Sequence, residues 1–336
     1  MKLDVAIMNN TLRDSVALAE AAEAIGFDTL WTSETQHDPF LPLGVAALHT
    51  QRIGLGTAIA VAFARNPMSM AYLAWDLQAA SGGRFMLGLG TQVQAHIERR
   101  FGMPWGAPAP RLREFILAMR AIWDVWQNET KLNFRGEFYK LTLMAPFFSP
   151  GPIERPHIPI YIAAVNALMC QLAGELCQGL HVHPFHTTRY LREQIMPNVH
   201  EGLAKSGRER GDIALSSSIF VVSGETAEEL ARVREEVRSQ IAFYASTPTY
   251  SKVMDLHGWS EIRERLSSLA IRQRWAEMPA LITDDILAQF ALEGWPDELP
   301  ALVRARYRGL LDRVTFYLPF DPQRQALWRG WVEAFG

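Results

Sequence analysis

Three short stretches carry side chains whose type and spacing can do chemistry. The first is Glu34-Thr-Gln-His37, which sets a carboxylate, an amide and an imidazole just past a strand-like run, Thr29 to Ser33. If the strand continues, Glu34 and Gln36 share a face. His37 then opens the loop as a group able to give or take a proton near neutral pH. Glu34 has a second reading as the partner of an arginine such as Arg65, and His37 as a loop cap. The second stretch is His181-Val-His183 with His186. Alternate strand residues share one face, so two imidazoles could hold a metal. No aspartate stands in a ligand position at the last strand, which ends Tyr317-Leu-Pro-Phe320, so the expectation is no metal, with His183 turned toward substrate or cofactor or else packed. The third is Gln92-Val-Gln-Ala-His96, where His96 follows a glycine-rich strand end and could face the same site.

Glycine marks the strand ends that must position these groups. Arg84-Phe-Met-Leu-Gly-Leu-Gly-Thr-Gln92 is an apolar run closing on two glycines and a polar pair, and Arg52-Ile-Gly-Leu-Gly-Thr-Ala58 is a shorter copy. Such glycines let a backbone or a ligand come close, and two copies point to a repeating architecture. Neither copy is a dinucleotide fingerprint, because Ile59 and Val93 stand where the third glycine would be. Ala163-Ala-Val-Asn166 reads as a strand end running into a helix, where free N–H groups and small side chains favour an anion such as phosphate.

Eight strands are read, at Leu3 to Met8, Thr29 to Ser33, Ile53 to Ala58, Phe85 to Leu89, Ile160 to Ala163, Gly179 to His183, Leu215 to Val222 and Val314 to Leu318. Helical patterns alternate with them at 15–25, from Pro67 to Ser81, and at 111–127, 167–177, 189–206, 227–244 and 322–335, with a capping box suggested at Thr11-Leu-Arg-Asp14 and a stop at Gly26. Eight alternating units predict an α/β fold, a (β/α)8 TIM barrel forming one domain. Two insertions are expected. Residues 128–159 read as a hairpin excursion around Arg135-Gly136 with a proline-rich return, and 245–295 as a helical cap or subunit contact near the barrel mouth.

A net charge of -3 with scattered lysine and arginine argues against nucleic acid as a partner. No apolar run approaches membrane-spanning length and no signal peptide is read at the start, so a cytoplasmic protein is expected. Cys170 and Cys177, if on one helix, lie about 10.5 Å apart along its axis, beyond disulfide reach, and should pack as small hydrophobes.

Taken together, Gly26-Phe-Asp-Thr-Leu-Trp-Thr-Ser-Glu34, Ile53-Gly-Leu-Gly-Thr-Ala-Ile59 with Ala64-Arg-Asn-Pro67, Arg84 to Thr91, Phe134-Arg-Gly-Glu-Phe-Tyr139, Pro159-Ile-Tyr-Ile-Ala-Ala164 and Ala173-Gly-Glu-Leu-Cys-Gln-Gly179 resemble the bacterial luciferase-like superfamily of flavin- and deazaflavin-dependent oxidoreductases. The likeness runs nearly the whole chain and is strongest to the branch that uses coenzyme F420. It implies a flavin-like ring at the C-terminal ends of the strands. It also implies a non-proline cis peptide between Ala58 and Ile59 backing the ring, Thr91 and Gln92 at its polar edge, and Ala163, Ala164 and Asn166 around its phosphate. His183 would join the cofactor site, with His37, Glu34 and His96 as catalytic candidates and Arg99 or Arg100 meeting the acidic tail of F420. The expected activity is hydride transfer between F420 and a small organic substrate, in a homodimer or higher homo-oligomer. The alternatives are a reduced-FMN monooxygenase and a non-catalytic flavin-binding protein. Some positions depart from the family pattern: Gln178 stands where an acidic residue is common, and Val93 where sugar-phosphate dehydrogenases carry a carboxylic acid. Glu34-Thr-Gln-His37 replaces the Glu-His-His of many monooxygenases.

Overall fold

The computed structural model describes residues 1–7 and 11–336. Eight parallel strands close into a barrel: β1 (Lys2–Ile7), β2 (Thr29–Thr32), β3 (Gly54–Thr57), β5 (Phe85–Gly90), β8 (Ile160–Ala164), β9 (Gly179–Val182), β10 (Ala214–Val222) and β12 (Arg313–Phe316), the last pairing back onto β1. All eight strands expected from the alternation are present. The end expected for the first, Met8, lies outside the described residues. Two further short strands were not foreseen: β4 (Ala60–Val61) continues the third unit against β5, and β11 (Ala291–Glu293) joins the C-terminal half of β10. The inserted segment 245–295 is therefore helical for most of its length but ends by adding a strand beside the barrel.

The local signals act as chemistry dictates. Thr11 and Asp14 form the expected capping box, and the following helix α1 (Ser15–Ile25) stops at Gly26, whose φ of 104° is costly for any residue with a side chain. A helix α2 (Phe40–His49) fills the second unit, where none was read. Asn66 accepts the Ser69 N–H ahead of α3 (Pro67–Ala80), which has proline in its first turn. After α4 (Gln94–Arg99) and the long α5 (Pro108–Asn128), the excursion forms the expected hairpin, β6 (Phe134–Arg135) with β7 (Lys140–Leu141). The Glu114 carboxylate of α5 receives the N–H groups of Glu137, Phe138 and Tyr139 and holds the hairpin turn to the body of the fold. Helix α6 (Ala167–Leu176) stops one residue short of Cys177. Both cysteines are buried and free, and burial pushes each thiol up to about 12, so they pack as hydrophobes.

The barrel interior is polar at one level. Arg313 donates through Nε and Nη2 to both Asp4 oxygens at 2.8 and 2.6 Å, and Trp31 Nε1 donates to Asp4 Oδ2 at 2.9 Å. Burial alone would strip charge from both members of the pair. For Arg313 the adjacent carboxylate outweighs it and holds the guanidinium above its ordinary range, whereas Asp4 is raised by burial against the pull of Arg313. Three donors aimed at the two Asp4 oxygens fit the carboxylate form.

Candidate active site

Contacts identify which side chains face the barrel axis. Asp4, Trp31 and Arg313 bond to one another, and the His181 ring packs against Trp31 at 4.8 Å and Tyr161 at 5.1 Å. A Cβ added at Gly88 would meet His181 Nε2, and one at Gly56 would meet the Trp31 ring. Side chains alternate along a strand, so two residues further on the same face turns inward at Ala6, Ser33, Ala58, Gly90, Ala163 and His183. Tyr317 does the same beyond β12. These positions all lie toward the C-terminal ends of the parallel strands.

Two layers follow. The lower layer is a floor of Asp4, Trp31 and Tyr161, all buried, with His181 beside them. Burial and the nearby Arg313 charge depress His181 to about 3, and its Nε2 has no hydrogen-bond partner among the described residues. The upper layer is unlike it: Ala6, Ala58, Ala163, His183, Ser218 and Tyr317 are partly exposed although they face the axis. Accessible surface at inward positions means open space above the floor. Small residues line it on the β3, β5 and β8 side. There the chain makes the expected cis peptide between Ala58 and Ile59, and Gly90 brings β5 against the Ile59 side chain.

A hydroxyl- and imidazole-bearing wall stands opposite. His183 Nδ1 accepts the Phe185 N–H at 3.1 Å, its Nε2 lies 2.9 Å from Tyr250 Oη, and its ring stacks on Tyr250 at 4.1 Å. Tyr244 and Tyr317 share a hydroxyl contact of 2.8 Å, and Phe220 packs on Tyr317 at 5.0 Å. Burial depresses His183 to about 3, with His186 adding to the effect, and pushes Tyr250 up to about 12 and Tyr244 higher still. His183, Tyr244 and Tyr250 are therefore uncharged near neutral pH. None of the wall's tyrosines was singled out from the sequence, because Tyr244 and Tyr250 come from the helix Ala227–Ala245 and the turn after it, far along the chain from His183.

The other residues singled out from the sequence are arranged around the rim. Glu34 Oε2 accepts the Arg65 guanidinium at 2.6 Å and the Val61 N–H at 2.7 Å, and the Glu34 N–H bonds to Ile59 O. Its carboxylate thereby ties the loop after β2 to the crank between β3 and β4. Arg65 also reaches Asp38 at 3.0 Å. His37 is exposed and lines a shallow groove with Ile7, Thr32, Ser33 and Asp38. His96 is exposed on α4, and Arg100 at the end of that helix donates to Thr35 O at 2.9 Å, so the loops after β2 and β5 meet. Arg99 is exposed beside it. Thr91 and Gln92 follow β5 directly, and Gln92 takes the left-handed conformation with φ 60°, its side-chain oxygen accepting the Val93 N–H.

At the end of β8, Ala163 faces the open space, while the Ala164 side chain is buried on the outer face and can contribute only backbone there. Asn166 caps α6, its Oδ1 accepting the Met169 N–H at 3.0 Å. The next N–H groups, of Ala167 and Leu168, lie in the first turn, where no intrahelical partner is available. His186 points elsewhere: it is buried, with Nδ1 on His183 O at 2.9 Å. Among the described residues no group of three or more His, Cys, Asp or Glu is arranged to hold a metal, and no helix is long and apolar enough to cross a membrane.

The comparisons with known proteins agree with this architecture. A family model described as luciferase-like monooxygenase matches residues 2–313. An uncharacterized protein of Mycobacterium tuberculosis (strain ATCC 25618 / H37Rv) is 48% identical over 314 residues, covering 94% of this chain and 92% of its own. The 5,10-methylenetetrahydromethanopterin reductase of Archaeoglobus fulgidus is 28% identical over 314 residues, covering 90% of this chain and 89% of its own. In fold, the coenzyme F420 dependent tetrahydromethanopterin reductase from Methanopyrus kandleri superposes with a TM-score of 0.81 at 19% identity, covering 98% of this chain and 97% of that one.

Proposed function

Because the chain belongs to the luciferase-like monooxygenase family, we propose that it is an oxidoreductase which uses coenzyme F420 to transfer a hydride to or from a small organic substrate. One observation carries the proposal: the inward face of the barrel rim is open, small on one side and hydroxyl-bearing on the other. In this reading a planar ring would lie between Ala58, Ile59, Gly90 and Ala163 and the facing wall, above the buried aromatic floor. Thr91 and Gln92 would meet its polar edge. Ala163, the backbone at Ala164, Asn166 and the start of α6 would receive a phosphate. His183 would border the ring from the opposite wall.

When bound, a deazaflavin supplies or accepts the hydride at its ring. The chain's own residues bind, orient and exclude water. His37 and His96 are the rim imidazoles proposed to give or take a proton at the cofactor ring, while Glu34 serves in this reading as the brace of the β3 to β4 crank, held by Arg65 and Val61. Arg99 is the exposed cation available to an acidic tail, since Arg100 already bonds to the loop after β2. Similar proteins named as F420-dependent enzymes support this cofactor. The family's description as monooxygenase favours the second reading, reduced FMN in the same slot.

The test is anaerobic mixing of the purified protein with oxidised F420 and a panel of small alcohols, and with reduced F420 and the matching carbonyl compounds, following the deazaflavin absorbance. Substrate-dependent change is expected. Oxygen-dependent consumption of reduced FMN with no F420 turnover would support the monooxygenase reading instead.

A further inference from the structure

We propose that Tyr250 is the proton donor and acceptor for the substrate's oxygen, on a wall built to take an uncharged carbonyl or hydroxyl compound. The inference deepens the proposed oxidoreductase function and rests on it. The direction of the hydrogen bonds is set by the backbone. Phe185 N–H donates to His183 Nδ1, so the ring proton of neutral His183 sits on Nε2, and Nε2–H donates to Tyr250 Oη. The hydroxyl proton of Tyr250 must then point away from His183. No other hydrogen-bond partner for it is found among the described residues, and Tyr250 is partly exposed. Stacking on His183 at 4.1 Å and edge contact with Tyr244 at 5.8 Å hold the phenol ring in place. His183 is thus a positioning residue: it fixes which way the Tyr250 proton faces and leaves an N–H donor on the oxygen that would become phenolate.

The rest of the wall decides the substrate class. Tyr244 and Tyr317 satisfy one another, Phe220 and Phe185 add apolar surface, and no lysine or arginine belongs to the wall among the described residues. The nearby Arg306 is committed to the carbonyls of Ala291 and Gln289. A carboxylate or phosphate substrate would find no counter-charge here, whereas a ketone, aldehyde or alcohol oxygen would find one directed O–H. In the reducing direction, with a reduced deazaflavin as hydride source, the carbonyl carbon gains the hydride and the electron pair of the C=O π bond moves onto oxygen. That oxygen takes the Tyr250 Oη proton. The products are an alcohol, the oxidised deazaflavin and a Tyr250 phenolate held by His183 Nε2–H, and the phenolate then regains its proton from solvent. Oxidation of an alcohol is the reverse.

The experiment compares wild type, Tyr250→Phe and His183→Gln with F420 and a panel of 2-propanol, cyclohexanol, 1-phenylethanol and their ketones, with benzoate as charged contrast. F420 dissociation constants are measured in parallel by fluorescence quenching. Tyr250→Phe is expected to lower turnover by on the order of a hundredfold or more while leaving F420 affinity within about twofold. His183→Gln, which keeps an N–H donor, should lose less and shift the pH profile. Histidine 15N spectra of the cofactor-free wild type should show His183 protonated on Nε2. That measurement decides the matter even if the variants fail to fold, since an Nδ1–H tautomer would overturn the proposal. So would wild-type turnover by Tyr250→Phe, or a loss of F420 affinity equal to its loss of turnover. A wild type that binds F420 but acts on none of the neutral pairs overturns the substrate class alone. One that binds neither F420 nor FMN overturns the cofactor reading beneath it.

Discussion

Adding one methyl group at Gly88 should be far more damaging than adding one at Gly90, two residues along the same strand face. A Cβ at position 88 would stand 1.8 Å from the backbone oxygen of Thr57 and 2.9 Å from His181 Nε2. Backbone cannot swing aside, so β3 and β5 must separate. Thr57 Oγ1 donates to Gly88 O at 2.7 Å and accepts the Gly88 N–H at 2.9 Å, and both bonds would be strained or broken. At about 1 kcal/mol each, with about 1 to 3 kcal/mol for overpacking, Gly88→Ala should cost roughly 3 to 5 kcal/mol. An unfolding entropy of about 2.1 cal/mol/K per residue over 336 residues converts this to a fall in Tm of about 4 to 7 °C. At Gly90 the nearest atoms are Ile59 Cδ1 at 2.5 Å and Cγ1 at 2.8 Å, the end of a side chain beside open space. Gly90→Ala should cost under about 1.5 kcal/mol, yet push Ile59 into the slot and weaken F420 binding. Calorimetry and F420 titration of both variants check this. A Gly88→Ala protein melting within about 1 °C of wild type, or Gly90→Ala binding F420 as wild type does, would refute the layout of the slot.

Three further outcomes are expected. Asp4→Asn leaves the buried Arg313 charge without its partner and should lower the stability measured in urea by about 3 to 5 kcal/mol. His186 is depressed to about 4 by burial, with His183 O, Ser217, Tyr307 and Arg306 around it. It stays neutral in the folded chain while the unfolded chain takes up a proton below about pH 6.5, so stability falls as pH drops from about 6.5 toward 4. Its share is about 2 kcal/mol at pH 5, and the slope should shrink in His186→Asn when urea melts are compared at pH 7 and pH 5. His37→Ala should reduce turnover by on the order of a hundredfold with little change in F420 affinity. Undiminished steady-state turnover would pass the proton-handling role at the rim to His96.

Strand order and the rim were legible because they depend on short-range pattern. The barrel strands are short, mostly apolar runs, those at Gly54–Thr57 and Phe85–Gly90 carrying the paired glycines, and parallel closure puts Glu34, Thr91, Ala163 and His183 at one end whatever the side-chain details. The Ala58–Ile59 cis peptide came from family resemblance and not from local chemistry. Arg65 could be named as a partner of Glu34 from charge alone, but the Val61 N–H on the same oxygen depends on a crank in the backbone that no residue pattern announces. Helix α2 was missed because its proline and glycine, Pro42 and Gly44, weaken the helical signal in a segment that burial of Phe40 and Leu43 nonetheless folds. The tyrosine wall was illegible for a different reason. Tyr244, Tyr250 and Tyr317 look like ordinary amphipathic side chains in sequence; only the folded chain sets the Tyr250 hydroxyl on His183 and pairs the hydroxyls of Tyr244 and Tyr317 beside it. Likewise His181 and His183 share a face as alternation requires, but the floor of Trp31 and Tyr161 claims one and Tyr250 the other.

The central claim, that the open slot at the barrel rim is a deazaflavin site, is tested most directly by titrating the purified protein with F420 and with FMN under identical conditions, by fluorescence or calorimetry, alongside Arg99→Glu. Saturable binding is expected, tighter for F420 than for FMN, with Arg99→Glu weakening F420 and leaving FMN unchanged. Tighter binding of FMN, or no binding of either, would contradict it.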